Sequence, residues 1–331
     1  MRRLLRRIGV YLLAVWAAVT INFFLPRLAP GDPAKALFFR LSQHGYVNPA
    51  LLAALESEFG LDTTDPLWLQ YLKYLNNLLH GNLGISTSAY PATVAQVIGQ
   101  DIPWTLTLLS VSVLISCVAG TLIGVFMAWK RGTALDTTLS AVMTFLYSIL
   151  YPWLALLIVY FIGFKLGWLP FSDGFDLALT PGWNLDFILS AAQHAILPAF
   201  TIVISTVAGW MLTMRNSMIT TLSEDYITMA RAKGLRARRL IFAYAARNAV
   251  LPSVTGFAIA IGSVVGGQLL VEIVFSYPGI GYALYQGIIS QDYALADGVL
   301  LLVIVATVAM NLIVDLLYTV LDPRTRQERS A

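Results

Sequence analysis

The sequence predicts an all-α polytopic membrane protein with six transmembrane helices. Composition is the first reason: of 331 residues, 58% are hydrophobic and 12% charged, with mean hydropathy +0.73, whereas a soluble domain carries roughly 25% charged residues. Several stretches approach or exceed ~20 residues with hardly a charge, enough to cross a hydrocarbon core of ~30 Å as helix. A helix is one of the few forms that satisfies its own backbone there. Charge asymmetry is the third reason. Of 21 Lys and Arg residues, all but Arg27, Lys35, Arg40, Lys73 and Lys165 fall at the two ends or in the loops near 130 and 215–250. The positive-inside rule puts those loops, and both termini, in the cytoplasm.

Each element follows in order. Arg2, Arg3, Arg6 and Arg7 precede an apolar run from Ile8 to Leu25. The run is too long for a signal peptide and lacks a small-x-small cleavage site, so 1–28 reads as an uncleaved first span. Pro30, Gly31, Asp32 and Pro33 then form a rigid exit into an extracytoplasmic loop over 29–101. Helical periodicity recurs there over 49–59 and 66–79; in the second stretch Trp68, Tyr71, Leu72, Leu75, Leu78 and Leu79 share a face, the pattern of an amphipathic helix on the bilayer or against other spans.

The remainder, 102–322, holds five spans and a tail follows over 323–331. The second span covers 105–129, with Gly120 and Gly124 one turn apart, a spacing that permits close helix approach. The third covers 136–164 and is expected to kink at Pro152, which removes a helix hydrogen bond. An outer loop over 165–188 carries Trp168 and Trp183, suited to an interface. The fourth span, 194–212, is expected to open at Pro198. The fifth, 251–274, is rich in glycine. The sixth, 299–320, sets Asn311 and Asp315 one turn apart on one face, and an acid at that depth must meet protein or water.

The longest polar, basic stretch in the C-terminal two thirds runs from Leu222 to Pro252, from the loop 215–250 into the start of the next span. Ser223, Glu224 and Asp225 read as a helix start, and Gly234 as its stop. A second basic helix is expected to follow, with Leu240, Ile241 and Tyr244 on one face. Pro252 stands where the next span begins, where a missing N–H costs little. Two readings of this elbow stay open: a docking surface whose alanines and glycine admit a partner closely while cations orient it, or a large positive-inside anchor.

Some function classes drop out. No Gly-x-x-x-x-Gly-Lys-Ser/Thr occurs, so the chain is not read as its own ATP engine. Neither Gly-x-Ser-x-Gly nor His-Glu-x-x-His is present, and catalysis is not expected. Cys117 is the one cysteine, which rules out an intrachain disulfide. His44, His80 and His194 are scattered, so no metal site is expected; the modest net charge of +3 does not suggest nucleic acid. No internal repeat is visible, which counts against an inverted-repeat secondary transporter.

At the elbow the chain resembles the dipeptide/oligopeptide/nickel permease family of ABC importers. That family carries an acidic–Tyr pair, then Ala-Arg-Ala-Lys-Gly-Leu, Arg-Asn-Ala and Leu-Pro. The matching residues are Glu224, Asp225, Tyr226, Ala230, Arg231, Ala232, Lys233, Gly234, Leu235, the run 247–249 and Leu251 with Pro252. Tyr244 stands where the family usually has His. The run from Pro30 to Pro33 also resembles the family. So does Gly81 to Ser86, with Asn82 replacing an acid, and the run from Glu272 through Pro278 and Gly279 to Gly281. Asp292 with Tyr293, and Asp322 with Pro323 and Arg324, complete the match. Pro152 lies two positions later than the family's proline.

The resemblance implies a type I importer permease (MetI-like) fold in the bacterial cytoplasmic membrane. It implies a second, similar permease subunit as a heterodimer partner, two ATPase subunits that bind ATP and Mg, and an extracytoplasmic solute-binding protein. Coupling to the ATPase would run through 224–234. Independently of the resemblance, the third and fifth spans are favoured for the pathway, with Tyr151, Ser263 and Gln268 either lining it or packing between helices, and Asp315 is taken as a structural position. Di- or oligopeptides are the first expected substrate, oligosaccharides the second and nickel the third. A standalone channel or facilitator is the alternative of a different class.

Overall fold

The computed structural model describes residues 2–28, 66–262 and 269–321. The elements from Pro30 to Pro33, 49–59, Ser263, Gln268, Asp322 and Pro323 lie outside these, and Asp315 is described only as a backbone position in the last helix. Among the described residues the chain is helical, with one isolated bridge, Ile85 to Thr93, and no strand. The helices are α1 (Arg2–Leu28), α2 (Leu67–Leu79), α3 (Val94–Trp129), α4 (Ala134–Ser148), α5 (Tyr151–Ile158, continued as a π-helix over Val159–Lys165), α6 (Leu185–Leu222), α7 (Asp225–Ala232), α8 (Leu251–Gly262), α9 (Leu269–Val274), α10 (Ile280–Ile289) and α11 (Tyr293–Leu321). Three of them, α3, α6 and α11, are long and apolar enough to cross a membrane, and the bent α4–α5 pair adds a fourth candidate. Shorter apolar helices occupy Gly9–Phe24, Leu251–Ile261 and Ile280–Ile289.

The chain forms two compact units, which cut across the division by topology. The first comprises Met1–Thr105, Val265–Leu269 and Pro278–Ala331; the second comprises Leu106–Val264 and Leu270–Tyr277. In the first unit α1 lies along α11, where Asn22 Nδ2 donates to the Asp297 carbonyl at 2.7 Å. Helix α2 turns Tyr71 and Tyr74 toward Phe23 of α1, and Tyr71 shares a 2.8 Å hydrogen bond with Thr20. Consequently Trp68, Leu72 and Leu79, expected on the same face, are exposed. Two tyrosines, able to pack and hydrogen-bond at once, set the rotation of α2 instead. Val94 and Ile98 of α3 join Ile280, Ala283, Leu295 and Val299 in the core of this unit.

In the second unit α3 and α6 pack at Gly120 and Gly124. A Cβ on Gly120 would come within 2.6 Å of Trp210 Cβ, and one on Gly124 within 2.5 Å of the Met211 carbonyl oxygen. Nearby, Ser116 and Thr206 share a 2.8 Å hydrogen bond. The helix expected for the third span is broken at the position Pro152 predicts. A proline ring clashes with the carbonyl four residues back, and α4 ends at that residue, Ser148, before the chain turns by 97° into α5. Pro198 does not open the fourth span. It lies inside α6, which begins nine residues earlier than expected because Asn184 caps it, accepting from the Phe187 N–H at 2.8 Å.

Candidate functional site: the elbow between α6 and α8

Helix α6 runs on to Leu222, ten residues beyond the expected end of its span. Ser223 therefore closes α6 rather than opening α7: its hydroxyl donates back to the Thr220 carbonyl at 2.7 Å. Glu224 occupies the N-cap of α7 with extended backbone and no side-chain capping bond. Asp225 stands in the first turn, where a carboxylate suits the positive end of the helix.

Gly234 ends α7. Its φ is +77°, and two reverse bonds close the turn: Gly234 N–H to the Arg231 carbonyl at 3.0 Å and Leu235 N–H to the Ala230 carbonyl at 3.4 Å. This is the Schellman pattern, with its usual apolar contact between the residues that flank the turn. Leu235 packs against the cluster that contains Ala230.

After the turn come a short helix Ala237–Arg239, a π-helix Leu240–Ala245 and a last turn Ala246–Ala249. The π-turn changes which side chains face inward. Leu240, Ile241, Ala245 and Ala249 are buried, while Tyr244 is 38% exposed. A regular helix places Leu240 and Tyr244 on one face; the wider turn shifts that place to Ala245.

These buried residues meet Ile227 and Ala230 of α7, Met214 and Met218 of α6, and Val125 and Ala128 of α3. The elbow is thus bolted to the ends of two long helices by a continuous aliphatic core. Tyr226 adds a tie, its hydroxyl accepting from Asn248 Nδ2 at 2.9 Å. The sequence-predicted coupling residues divide by face. Ala230 is buried and Leu235 half-buried, whereas Glu224, Asp225, Tyr226, Arg231, Ala232, Lys233 and Gly234 are exposed. No Cβ on Gly234 would meet an atom within 4 Å, so its surroundings are open and only its backbone angle requires glycine.

One further contact braces the base of the elbow. Arg215, between Met214 and Met218 on α6, grips Asp136 in the first turn of α4 through Nε to Oδ1 at 2.8 Å and Nη2 to Oδ2 at 2.9 Å. Thr133 caps α4, and the Gly132 N–H donates to Asp136 Oδ2 at 3.2 Å. Such a bidentate pair fixes orientation as well as distance. Asp136 and Arg215 each stand at a span end in the sequence, yet 79 positions apart no local spacing links them. Among the described residues, no three His, Cys, Asp or Glu side chains come together as a metal site.

Comparison with known proteins now bears on this geometry. Residues 120–327, which include the whole elbow, match the family described as binding-protein-dependent transport system inner membrane component. This chain belongs to that family. The di/tripeptide transport system permease protein DppB of Pseudomonas aeruginosa is 34% identical over 98% of each chain. The dipeptide transport system permease protein DppB of Escherichia coli is 32% identical over 98% of this chain and 99% of its own. The oligopeptide transport system permease protein AppB of Bacillus subtilis is 31% identical over 92% of each. The protein is therefore a multi-pass component of the inner membrane.

Other predicted residues of this permease fall elsewhere. Tyr151 begins α5 and is half-buried. Glu272 is 1% exposed within α9, and its carbonyl accepts the Tyr277 N–H at 2.8 Å across a turn in which Ser276 has φ +48°. In the other unit, Pro278 is half-buried and Gly279 precedes α10 as its N-cap. There Thr105 Oγ1 accepts the first N–H of α10, from Ile280, at 2.9 Å.

A buried cluster around Asp292 has no counterpart among the predicted sites. The carboxylate accepts from Ser86 Oγ and, at 2.8 Å each, from Ser88 Oγ and Ser88 N–H. Its other oxygen caps α11 through the Leu295 N–H at 3.1 Å. Asp292 and Ser86 were visible in the sequence only as members of separate matched stretches.

Proposed function

We propose that this chain is one of two transmembrane subunits of an ATP-driven importer. The complex would take up di- or oligopeptides handed over by an extracytoplasmic solute-binding protein. The observation that carries the reading is near-full-length similarity to permeases named for di-, tri- and oligopeptide transport, joined to an elbow with a rigid inner face and an exposed outer one. In this reading the membrane holds six spans with both ends in the cytoplasm, and the elbow lies on that side. The second permease subunit is similar but distinct.

The outer face of α7, from Glu224 to Gly234, would sit in a groove on one of two ATPase subunits, which bind ATP and Mg. Closure of the ATPases would push α7. Because Ile227 and Ala230 share a core with Met214, Met218, Val125 and Ala128, the push reaches α6 and α3 without a soft joint. This is the physical content of coupling: one element with two positions that both the nucleotide and the transported solute bias.

The decisive experiment is the ATPase rate of the purified complex with its binding protein, across a panel of peptides and oligosaccharides. Stimulation by peptides supports the reading. Stimulation by oligosaccharides alone would replace the substrate class, and purification of an active chain without ATPase subunits would replace the importer with a channel.

A further inference from the structure

A second surface on the elbow adjoins the outer face of α7 and shares Gly234 with it. Gly234, Leu235, Arg236, Arg238, Arg239 and Phe242 are among the residues lining an open cavity of about 750 Å³. Among the described residues no hydrogen bond or ion pair engages the side chains of these three arginines. No Asp or Glu occurs in the sequence between Asp225 and Glu272, so no acid within this stretch neutralises them. Phe242, 49% exposed, supplies an apolar wall.

Where this cavity lies relative to a bilayer follows from its own unit. Leu240 and Ile241, its immediate neighbours in the chain, pack with Val125 and Ala128 in the last turn of α3. The next residue on α3, Trp129, is 44% exposed, and Lys130 sits over its ring at 5.8 Å. An exposed Trp beside a Lys at the end of an apolar helix is the mark of headgroup depth. The cavity therefore opens near the level of lipid phosphates.

We propose that Arg236, Arg238 and Arg239 hold the phosphate of an anionic phospholipid, with Phe242 against its glycerol and upper acyl carbons. Guanidinium forks match phosphate oxygens in pairs, and basic side chains near a bilayer surface favour anionic headgroups over zwitterionic ones. The inference rests on the membrane reading of this chain but on neither its substrate nor its ATPase.

The test uses the full chain in phosphatidylcholine vesicles containing a minor fraction of phosphatidylglycerol. One probe is phosphatidylglycerol carrying a photoactivatable group near its headgroup; the other is phosphatidylcholine labelled in the same place. Cross-links to the peptide spanning Gly234 to Ala243 are expected from the first probe and are expected to fall by about tenfold with the second. The triple variant Arg236→Gln, Arg238→Gln, Arg239→Gln should lose them by a similar factor, and the corresponding triple Lys variant should keep them. Equal labelling by both probes on the unaltered chain overturns the proposal without any variant. Labelling unchanged in the Gln variant shows that these cations do not hold the headgroup and also overturns it. Both leaflets carry the probe, so the result does not depend on which side the elbow faces. Protease cleavage of the elbow from outside intact cells would sink the cytoplasmic placement and leave this test standing.

Discussion

The elbow at Gly234 and the corner at Gln291 end their helices with the same backbone device and then use their polar groups in opposite ways. At the corner, Gln291 takes φ +57°, its N–H donates to the Ile288 carbonyl at 3.2 Å, and the Asp292 N–H donates to the Gly287 carbonyl at 2.7 Å. The carboxylate that follows is fully buried and engaged by Ser86, Ser88 and Leu295. At the elbow the cations that follow the turn, Arg236, Arg238 and Arg239, all remain exposed. The corner is held by polar bonds that close on themselves. The elbow is held by aliphatic packing, which leaves its charges available. On the proposed reading the elbow grips another molecule and needs the second design; a corner that only keeps its shape is served by the first.

Breaking the corner should have the largest effect on folding. Asp292→Ala leaves buried serine donors and the Leu295 N–H without their acceptor, and a hydrogen bond to a charged group contributes ~1.5–3 kcal/mol. We expect a loss of about 4 kcal/mol or more, read as a large fall in the melting temperature of the purified chain. A small shift would mean that water replaces the carboxylate.

Ile227→Ala attacks the elbow from its buried side. Ile227 is fully buried, so about 2–4 kcal/mol should be lost. Transport per ATP hydrolysed should drop further than stability does, because the lever loosens. Transport falling only in step with the amount of folded protein would count against the lever.

Gly234 sharpens the contrast. A Cβ there meets nothing within 4 Å, so substitution costs backbone strain alone, about 1–2 kcal/mol for Val. Asn tolerates this angle better than other residues. Gly234→Asn should therefore be close to wild type in melting temperature, and uncoupling by Asn as well as Val would show that a partner needs the bare backbone. Normal uptake in both variants would reduce Gly234 to a helix stop.

The smallest folding effect belongs to the exposed cations. Arg231→Gln should change stability by no more than about 0.5 kcal/mol, yet weaken ATPase co-purification in a salt-dependent way. Undiminished binding at all salt concentrations would leave Arg231 a membrane anchor.

Several features of this permease were legible because their physics is local. Gly234 stops a helix since no other residue takes φ +77° so readily. Pro152 breaks a span through the carbonyl four residues behind it. Gly120 and Gly124 mark a close contact, although nothing in the spacing says that Trp210 and Met211 are the surfaces met. Another was misread for the same reason. Ser223 follows the sequence rule for a cap, but α6 continues to Leu222 and claims it as a terminus. Trp68 and Leu72 belong to an apolar face that the sequence assigns either to the bilayer or to other spans, and only the contacts of Tyr71 and Tyr74 with Phe23 show which part of α2 meets protein.

The sequence by itself determined the helical class, the apolar runs long enough to span a bilayer, the charge asymmetry and the identity of the elbow, all of which depend on neighbours along the chain. Only the tertiary structure decided which side of the elbow is buried, that Arg215 grips Asp136 across 79 positions, and that Ser86 and Ser88 answer Asp292. Those facts depend on helix rotation and on a π-turn that advances the buried face from Tyr244 to Ala245. Rotation is set by what packs on the far side, and a one-dimensional pattern carries no record of that.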